Sequence, residues 1–471
     1  MTKISFALAG VLGVSLGFVG CVCPDTDRST TSGAGKYQLH TWTKIHLDNH
    51  FWSEGANVGD FNKDGKLDVV SGPYWWEGPT FHVRHEYMSM KRKSPAGTAP
   101  FKLKKEDGTE ETIEGFEGAL GKNNAYADNF FAFTHDLNGD GWHDVLVYGF
   151  PGLDASWYEN PKGKKGADGT EHWKRHQVLD VVDNESPTWG DVTGDGKPEI
   201  ICSSKGFYGY ASPDWSDATK PWVFHPISPN NKYHKFTHGL GFGDVNGDRK
   251  TDLIEKSGWW EQPASLSGDP VWKYHAYAFS TDEGSSQMYA YDVNKDGLPD
   301  VVSALAAHNY GLAWFEQLKE KNEKGDAQFK RHLIMGKKPA ENKYGLVFSQ
   351  LHAVDLVDMD GDGLKDIVTG KRFWAHGSHG DADPSSPAVL YWFKLVRNAD
   401  KTIDWVPHRI DSDSGVGTQV VATDMNGDGL PDVVVGNKKG TFVHIHSMKK
   451  VSKDEWEKAQ PKPIVQQTAT K

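Results

Sequence analysis

At 471 residues, with 37% hydrophobic residues and a mean hydropathy of −0.61, the chain is too polar for a packed α/β enzyme and long enough for one large repeat fold or about three ordinary domains. A net charge of −12 with no basic domain argues against a nucleic-acid partner, and no segment after residue 21 is long and apolar enough to span a bilayer. The 51 Gly and 18 Trp instead suit short strands joined by tight turns, with flat side chains between sheets.

The chain opens on an export signal. Lys3 supplies its charge, Ile4 to Val19 its apolar run, and Phe18-Val19-Gly20-Cys21 stands where a bacterial lipobox would place the lipidated cysteine. Residues 1–21 are therefore expected to be a signal peptide of lipoprotein type. Residues 22–36, rich in Asp, Ser, Thr and Gly, read as a flexible tether. The expected location is outside the cytoplasm, on a lipid anchor without a transmembrane span, periplasmic or at the cell surface. With Cys21 acylated, Cys23 and Cys202 require no disulfide framework, so stability must come from burial and metal.

From residue 37 a repeat dominates. The pattern D-x-[N/D/T]-x-D-[G/R]-x-x-[D/E] begins at Asp60, Asp136, Asp191, Asp244, Asp292, Asp358 and Asp424. Each copy follows a short alternating strand and precedes a β-rich run, as in Asp144 to Val147. An aromatic strand comes next (Trp75-Trp76-Glu77, Trp157-Tyr158-Glu159, Trp259-Trp260-Glu261), then a fourth carrying Trp or Phe with His three or four residues on, as in Trp173/His176 and Trp272/His275. Four strands in each of seven radial repeats predict an all-β fold, a seven-bladed β-propeller of four-stranded blades over residues 37–446. Because one fourth-strand signature (Trp42/His46) precedes the first Asp loop and none follows the last, the N-terminal strand should close the last blade. Residues 88–128, charged and Gly-rich, form an insertion that reads either as a lid or binding loop or as a surface loop. Residues 447–471 read as a tail, with a short helix near Ser452 to Gln460.

Each Asp loop offers oxygen at positions 1, 3, 5 and 9 plus a carbonyl at 7, the six or more oxygens that Ca²⁺ takes. The expected ligands are Asp60, Asn62, Asp64, Asp68; Asp136, Asn138, Asp140, Asp144; Asp191, Thr193, Asp195, Glu199; Asp244, Asn246, Asp248, Asp252; Asp292, Asn294, Asp296, Asp300; Asp358, Asp360, Asp362, Asp366; and Asp424, Asn426, Asp428, Asp432. The third loop departs with Thr193 and Glu199, and the fourth carries Arg249 where Gly would ease the turn. Seven Ca²⁺ would move the net charge to about +2. No helix pair accompanies the loops, so the ions read as structural, not sensory. These nonamers resemble the FG-GAP/VCBS repeats, calcium-loop propellers that include integrin α-subunit heads, and the resemblance covers roughly residues 37 to 446. It implies fold strongly and function weakly.

The resemblance also implies that the starts of the innermost strands meet the second-to-third strand loops at the face opposite the Asp loops. Six residues before each first Asp stand Glu54, Phe130, Glu185, His238, Ser286, His352 and Thr418, flanked by Asn57, Asn129, Gln287, Tyr289, Asp355 and Gln419. A ring holding two His and two Glu suits a further divalent metal at the central channel, or acid–base work. The facing loops add Lys256, His308, Tyr310, Lys371, Arg372, His376 and Lys438 among others, a mixture that suits a sugar or an acidic saccharide. Residues 307–316 (AHNYGLAWFE) and 370–374 (GKRFW) look like stretches of propellers similar to fungal aldos-2-ulose dehydratase, a family that eliminates water from ketosugars with a bound metal. No second, cupin-type domain is expected from these residues, so the isomerase half of that chemistry is not implied. The expectation is a metal-dependent sugar lyase or dehydratase. A metal would sit on His238 and His352 with Glu54 or Glu185, His308 or Tyr310 would move protons, and Lys371 or Arg372 would hold an anionic group. The alternative is a non-catalytic adhesion or glycan-binding propeller with a cell-surface partner. Either way the ligand is a carbohydrate or another small polar molecule.

Overall fold

The computed structural model describes residues 37–89, 101–104, 107–113, 126–165, 169–281, 284–377 and 380–464. The expected signal peptide, tether and much of the insertion lie outside these residues. The described chain is almost wholly β, built of four-stranded antiparallel blades. Five sheets are separate four-stranded blades, such as Asn129–His135, Asp144–Gly149, Leu153–Glu159 and Lys174–Val182. A sixth sheet has eight strands: two four-stranded antiparallel runs joined where Leu240–Gly243 pairs in parallel with Gln287–Tyr291. In one blade Gln38–Asp48 pairs antiparallel with Gly440–Lys450, so the N-terminal strand completes the sheet begun by Val420–Thr423 and Asp432–Asn437. Its partner Gly440–Lys450 runs four residues beyond the boundary expected at 446, because Gln38 pairs with Lys450. Among the described residues of the insertion, Phe101–Lys104 and Glu110–Ile113 form a hairpin. The tail helix is Lys453–Ala459, capped by Ser452, whose hydroxyl accepts the Glu455 amide.

The apolar clusters lie between consecutive blades. Leu146 and Trp157 of one sheet pack with Ile200, Cys202 and Trp222 of the next, and Val434 and Val443 of the closing sheet pack with Val69 and Trp76 of the first. Cys202 is buried and unbridged. Fourth-strand histidines are structural. His176 stacks on Trp157 at 4.5 Å, His275 on Trp259 at 4.1 Å, His332 on Trp314 at 4.3 Å and His408 on Trp392 at 4.6 Å.

The ninth residue of each loop opens the second strand and is buried. It staples the blade as well as facing the loop. Asp144 accepts the Leu137 amide at 2.9 Å and the Asn160 amide, just past the third strand, at 2.8 Å. Asp68, Asp252, Asp300, Asp366 and Asp432 make the same pair of bonds. The side chain after the aromatic triplet of the third strand also reaches the loop of the preceding blade, as Gln317 does in donating to the Val245 carbonyl at 2.7 Å. Position six is left-handed in every loop, including Arg249 at φ 69°. Position four is left-handed too, at Lys63 and Lys295 as well as at five glycines, a demand the repeat pattern alone did not express.

Candidate functional site

The innermost strands begin at one end of the channel, and four of the residues six places before an Asp loop gather there. His238 Nε2 lies 3.1 Å from His352 Nε2. Glu185 Oε2 lies 3.3 Å from His238 and 3.5 Å from His352. Glu54 joins through Arg372, whose Nη2 is 3.0 Å from Glu54 Oε2 and whose Nη1 is 2.8 Å from His352 Nε2 and 3.6 Å from Glu185. All five side chains are almost wholly buried. A third imidazole enters from a second-to-third strand loop, with His308 Nε2 3.0 Å from His238 Nε2. Ligand atoms of Glu185, His238, His308 and His352 all lie within 4.8 Å of one another.

This set fits a divalent metal. A neutral imidazole carries one donor and one acceptor nitrogen, so three Nε2 atoms closing on one point cannot all be satisfied by each other. Glu185 Oε2 has no hydrogen-bond donor although it is buried. Burial, reinforced by Arg372 and the neighbouring imidazoles, pushes His352 well below its ordinary pKa, and burial likewise lowers His308. Burial opposes ionisation of Glu185, yet His238 and Arg372 outweigh it and hold its carboxyl down to about 2. Neutral imidazoles beside an ionised carboxylate are the protonation states that Zn²⁺ or another imidazole-favouring ion takes as ligands.

The cluster floors a cavity of about 900 Å³ lined by Tyr126, Phe150, Phe236, Lys256, His376 and Asp381 among others. Below it the channel is stitched shut. Gln287 donates to the Thr418 carbonyl at 3.0 Å and accepts from the Val354 amide, while Asn57 and Gln419 both donate to the Ala132 carbonyl. The flanking polar residues thus tie inner strands together.

Not every expected residue reaches the cluster. Tyr310 gives its hydroxyl to Asp383, away from the imidazoles. Lys371 is fully buried and donates to Ser349 Oγ at 2.9 Å and toward the Ala382 carbonyl, and burial lowers its pKa to about 8. Lys438, also lowered to about 8 by burial, donates to the carbonyls of Trp374 and Ala375. The two lysines staple the loop between Asp366–Gly370 and Leu390–Arg397. They stand under it, not in the cavity.

Asp381, Tyr126, Phe150 and Phe236 escaped the sequence reading. One signal was available for Asp381. Two residues separate the second and third strands in most blades, but seven do so before Leu312–Lys321 and nineteen before Leu390–Arg397. Those two long hairpins carry His308 and the Arg372–Asp381 run. Tyr126 comes from the end of the insertion, and its ring lies 5.7 Å from the Arg372 guanidinium.

A family model described as an FG-GAP-like repeat matches residues 136–202, and one described as an FG-GAP repeat matches residues 416–445. No curated protein matches the chain in sequence. Among solved structures the chain is similar to an Agrocybe aegerita lectin that recognises non-reducing terminal N-acetylglucosamine, at 13% identity over 78% of this chain and 98% of that one, with a TM-score of 0.41. It is similar to the rhamnogalacturonan lyase YesW at 14% identity over 88% and 74%, TM-score 0.38. A third similar structure is the V. cholerae biofilm matrix protein Bap1, at 11% identity over 91% and 89%, TM-score 0.31.

Proposed function

We propose, on the premise that the chain belongs to the FG-GAP repeat β-propellers, that it is an exported, calcium-loaded ring whose mouth is a metal-dependent site for a sugar, acting as a carbon–oxygen lyase. Counting the eight-stranded sheet as two blades gives seven, one for each Asp loop. The single observation that carries the catalytic reading is the convergence of His238, His308, His352 and Glu185 at the floor of an open cavity.

A divalent ion held by those four residues would supply Lewis acidity to a carbonyl or carboxylate of the sugar. The chain's own residues do the rest. Arg372, paired with Glu54 behind the ligands, joins His238 in holding Glu185 ionised against burial. His376, held through Nδ1 by Asp381 at 2.8 Å and 37% exposed in the cavity wall, takes the proton-transfer role expected of His308 or Tyr310. Removal of the proton α to the polarised carbonyl leaves its electron pair to form the new double bond, and the β-hydroxyl departs as water with a returned proton. Tyr126, Phe150 and Phe236 offer ring faces to the sugar.

Those ring faces equally favour a second reading, a glycan-binding propeller without turnover. Metal content of the purified, calcium-dialysed protein lacking residues 1–21 separates the two. About one transition ion per chain, lost in the H238A/H352A variant, supports the lyase, as does loss of turnover in that variant. Calcium alone, or a double variant as active as wild type, sinks the lyase and leaves the binding module. Export on a lipid anchor is tested by fatty-acid labelling of the wild type against C21S. An unlabelled wild type rules out the anchor, and label retained by C21S rules out Cys21 as its site.

A further inference from the structure

Asp381 touches an imidazole of the metal cluster and an imidazole of the cavity wall at once. Its Oδ1 lies 3.1 Å from His308 Nδ1 and 2.8 Å from His376 Nδ1. The two rings pack against each other with centroids 4.5 Å apart. Asp381 is itself buried, its side chain 1% exposed, and its second oxygen accepts the His376 amide at 3.0 Å. Both imidazoles and the surrounding N–H donors hold its carboxyl far below the ordinary range against the effect of burial.

A ring nitrogen that donates to a carboxylate fixes its own tautomer. The 3.1 Å approach of Asp381 Oδ1 to His308 Nδ1 favours the Nδ1–H tautomer, which places the lone pair on Nε2, the atom that faces His238. The other two imidazoles differ, since His238 and His352 approach their carboxylate, Glu185, through Nε2, at 3.3 and 3.5 Å. The same carboxylate oxygen fixes His376 with Nε2 as its free ring position. The loop that carries Asp381 is anchored from beneath, because Ser349 Oγ and Gln350 Nε2 both donate to the Ala382 carbonyl at 2.8 Å and Lys371 supports them.

We propose that Asp381 is the positioning residue of this centre: one carboxylate oxygen orients His308 as a metal ligand and His376 as the cavity-facing proton-transfer group, locking the two in register. The inference rests on the metal reading above. It assigns to Asp381 a role exerted through the two imidazoles it touches.

Co²⁺ is the probe, since its visible spectrum reports coordination in the purified full-length chain. D381A is expected to lower Co²⁺ affinity by about 10–100-fold, the usual effect of losing a carboxylate behind a ligating imidazole. D381N, which keeps the shape and one acceptor but not the charge, should lose less. D383A, which removes the acceptor of Tyr310 in the same loop, should bind as wild type does. Long-range ¹⁵N–¹H spectra of the metal-free protein should show His308 protonated at Nδ1 in wild type and a mixed tautomer in D381A, a signature that general loosening of the loop would not produce. Wild-type Co²⁺ affinity in both Asp381 variants overturns the proposal while leaving the metal centre intact. So does an Nε2-protonated His308 in the wild type. If D381A does not fold, D381N alone decides by the same affinity criterion. Absence of Co²⁺ binding by the wild type overturns the metal reading and this inference together.

Discussion

The two ends of the innermost strands are built on opposite logics. At one end stand the Asp loops, nearly interchangeable, each with its buried ninth residue facing the loop. At the other, the residues at one equivalent height are Glu54, Phe130, Glu185, His238, Ser286, His352 and Thr418, of five residue types. Where the repeat is kept, the side chains serve the fold. Where it is broken at a position the fold leaves free, they gather into a cluster that the fold does not need. Thr418 marks the boundary, since its hydroxyl donates to the Phe130 carbonyl at 2.9 Å and seals the channel beside the imidazoles.

The largest expected effect separates the ends by stability. Withdrawing calcium at pH 7.5 should lower the melting temperature steeply, because each loop occupied at a hundredfold excess over Kd contributes about 2.7 kcal/mol. Removing a transition ion from the mouth should move it far less. Calorimetry with a calcium-selective chelator decides this, and an unchanged melting temperature contradicts structural calcium.

Next in size is Asp144→Ala, which leaves the buried Leu137 and Asn160 amides without their acceptor. The cost should be about 2–6 kcal/mol, from two orphaned donors. The H238A/H352A variant should unfold closer to wild type in the same denaturant titration, and the reverse order would erase the contrast between the ends.

The calcium increment should also depend on pH, with a definite sign. Burial raises the ninth-position carboxyls, to about 6 at Asp68 and Asp432, about 7 at Asp144, Glu199, Asp252 and Asp300, and about 8 at Asp366. In the ion-free folded protein these groups keep their protons while the unfolded chain has already lost them, so their contribution to stability falls as pH rises from the unfolded value near 4 toward 6–8. A cation must displace those protons, so calcium stabilisation should be small at pH 5 and grow toward pH 8. Burial shifts the histidines His40, His408 and His446 in the opposite sense, so their contribution to stability grows as pH rises, a background that the ion-free melting curves record. Melting curves at pH 5 and pH 8 with and without calcium test this. A larger increment at pH 5 is the contrary result.

The smallest effect sharpens the comparison inside the repeated face. Arg249→Gly relieves the left-handed backbone at φ 69° and should stabilise by about 1 kcal/mol. Calorimetry of the calcium-loaded protein reads it, and a loss of stability would mean that the Arg249 side chain has a role the other loops lack.

Sequence by itself determined the repeat, the β class, the position of each Asp loop and the strand exchange that closes the last sheet, because these follow from local periodicity and turn chemistry recurring along the chain. It also determined which heights to compare, and so found His238, His352, Glu185 and Glu54. Only the tertiary structure decided how those residues meet. His308 is a third member of the imidazole cluster and Tyr310, two residues on, is not, because the direction of a side chain in a seven-residue hairpin follows no period. Lys371 and Arg372 are adjacent in sequence, yet one is spent on Ser349 Oγ and the Ala382 carbonyl and the other on Glu54 and His352. Asp381 pairs with His376 across five residues and with His308 across seventy-three. Contacts of that range have no local signature, since they depend on which hairpins the ring brings to one mouth.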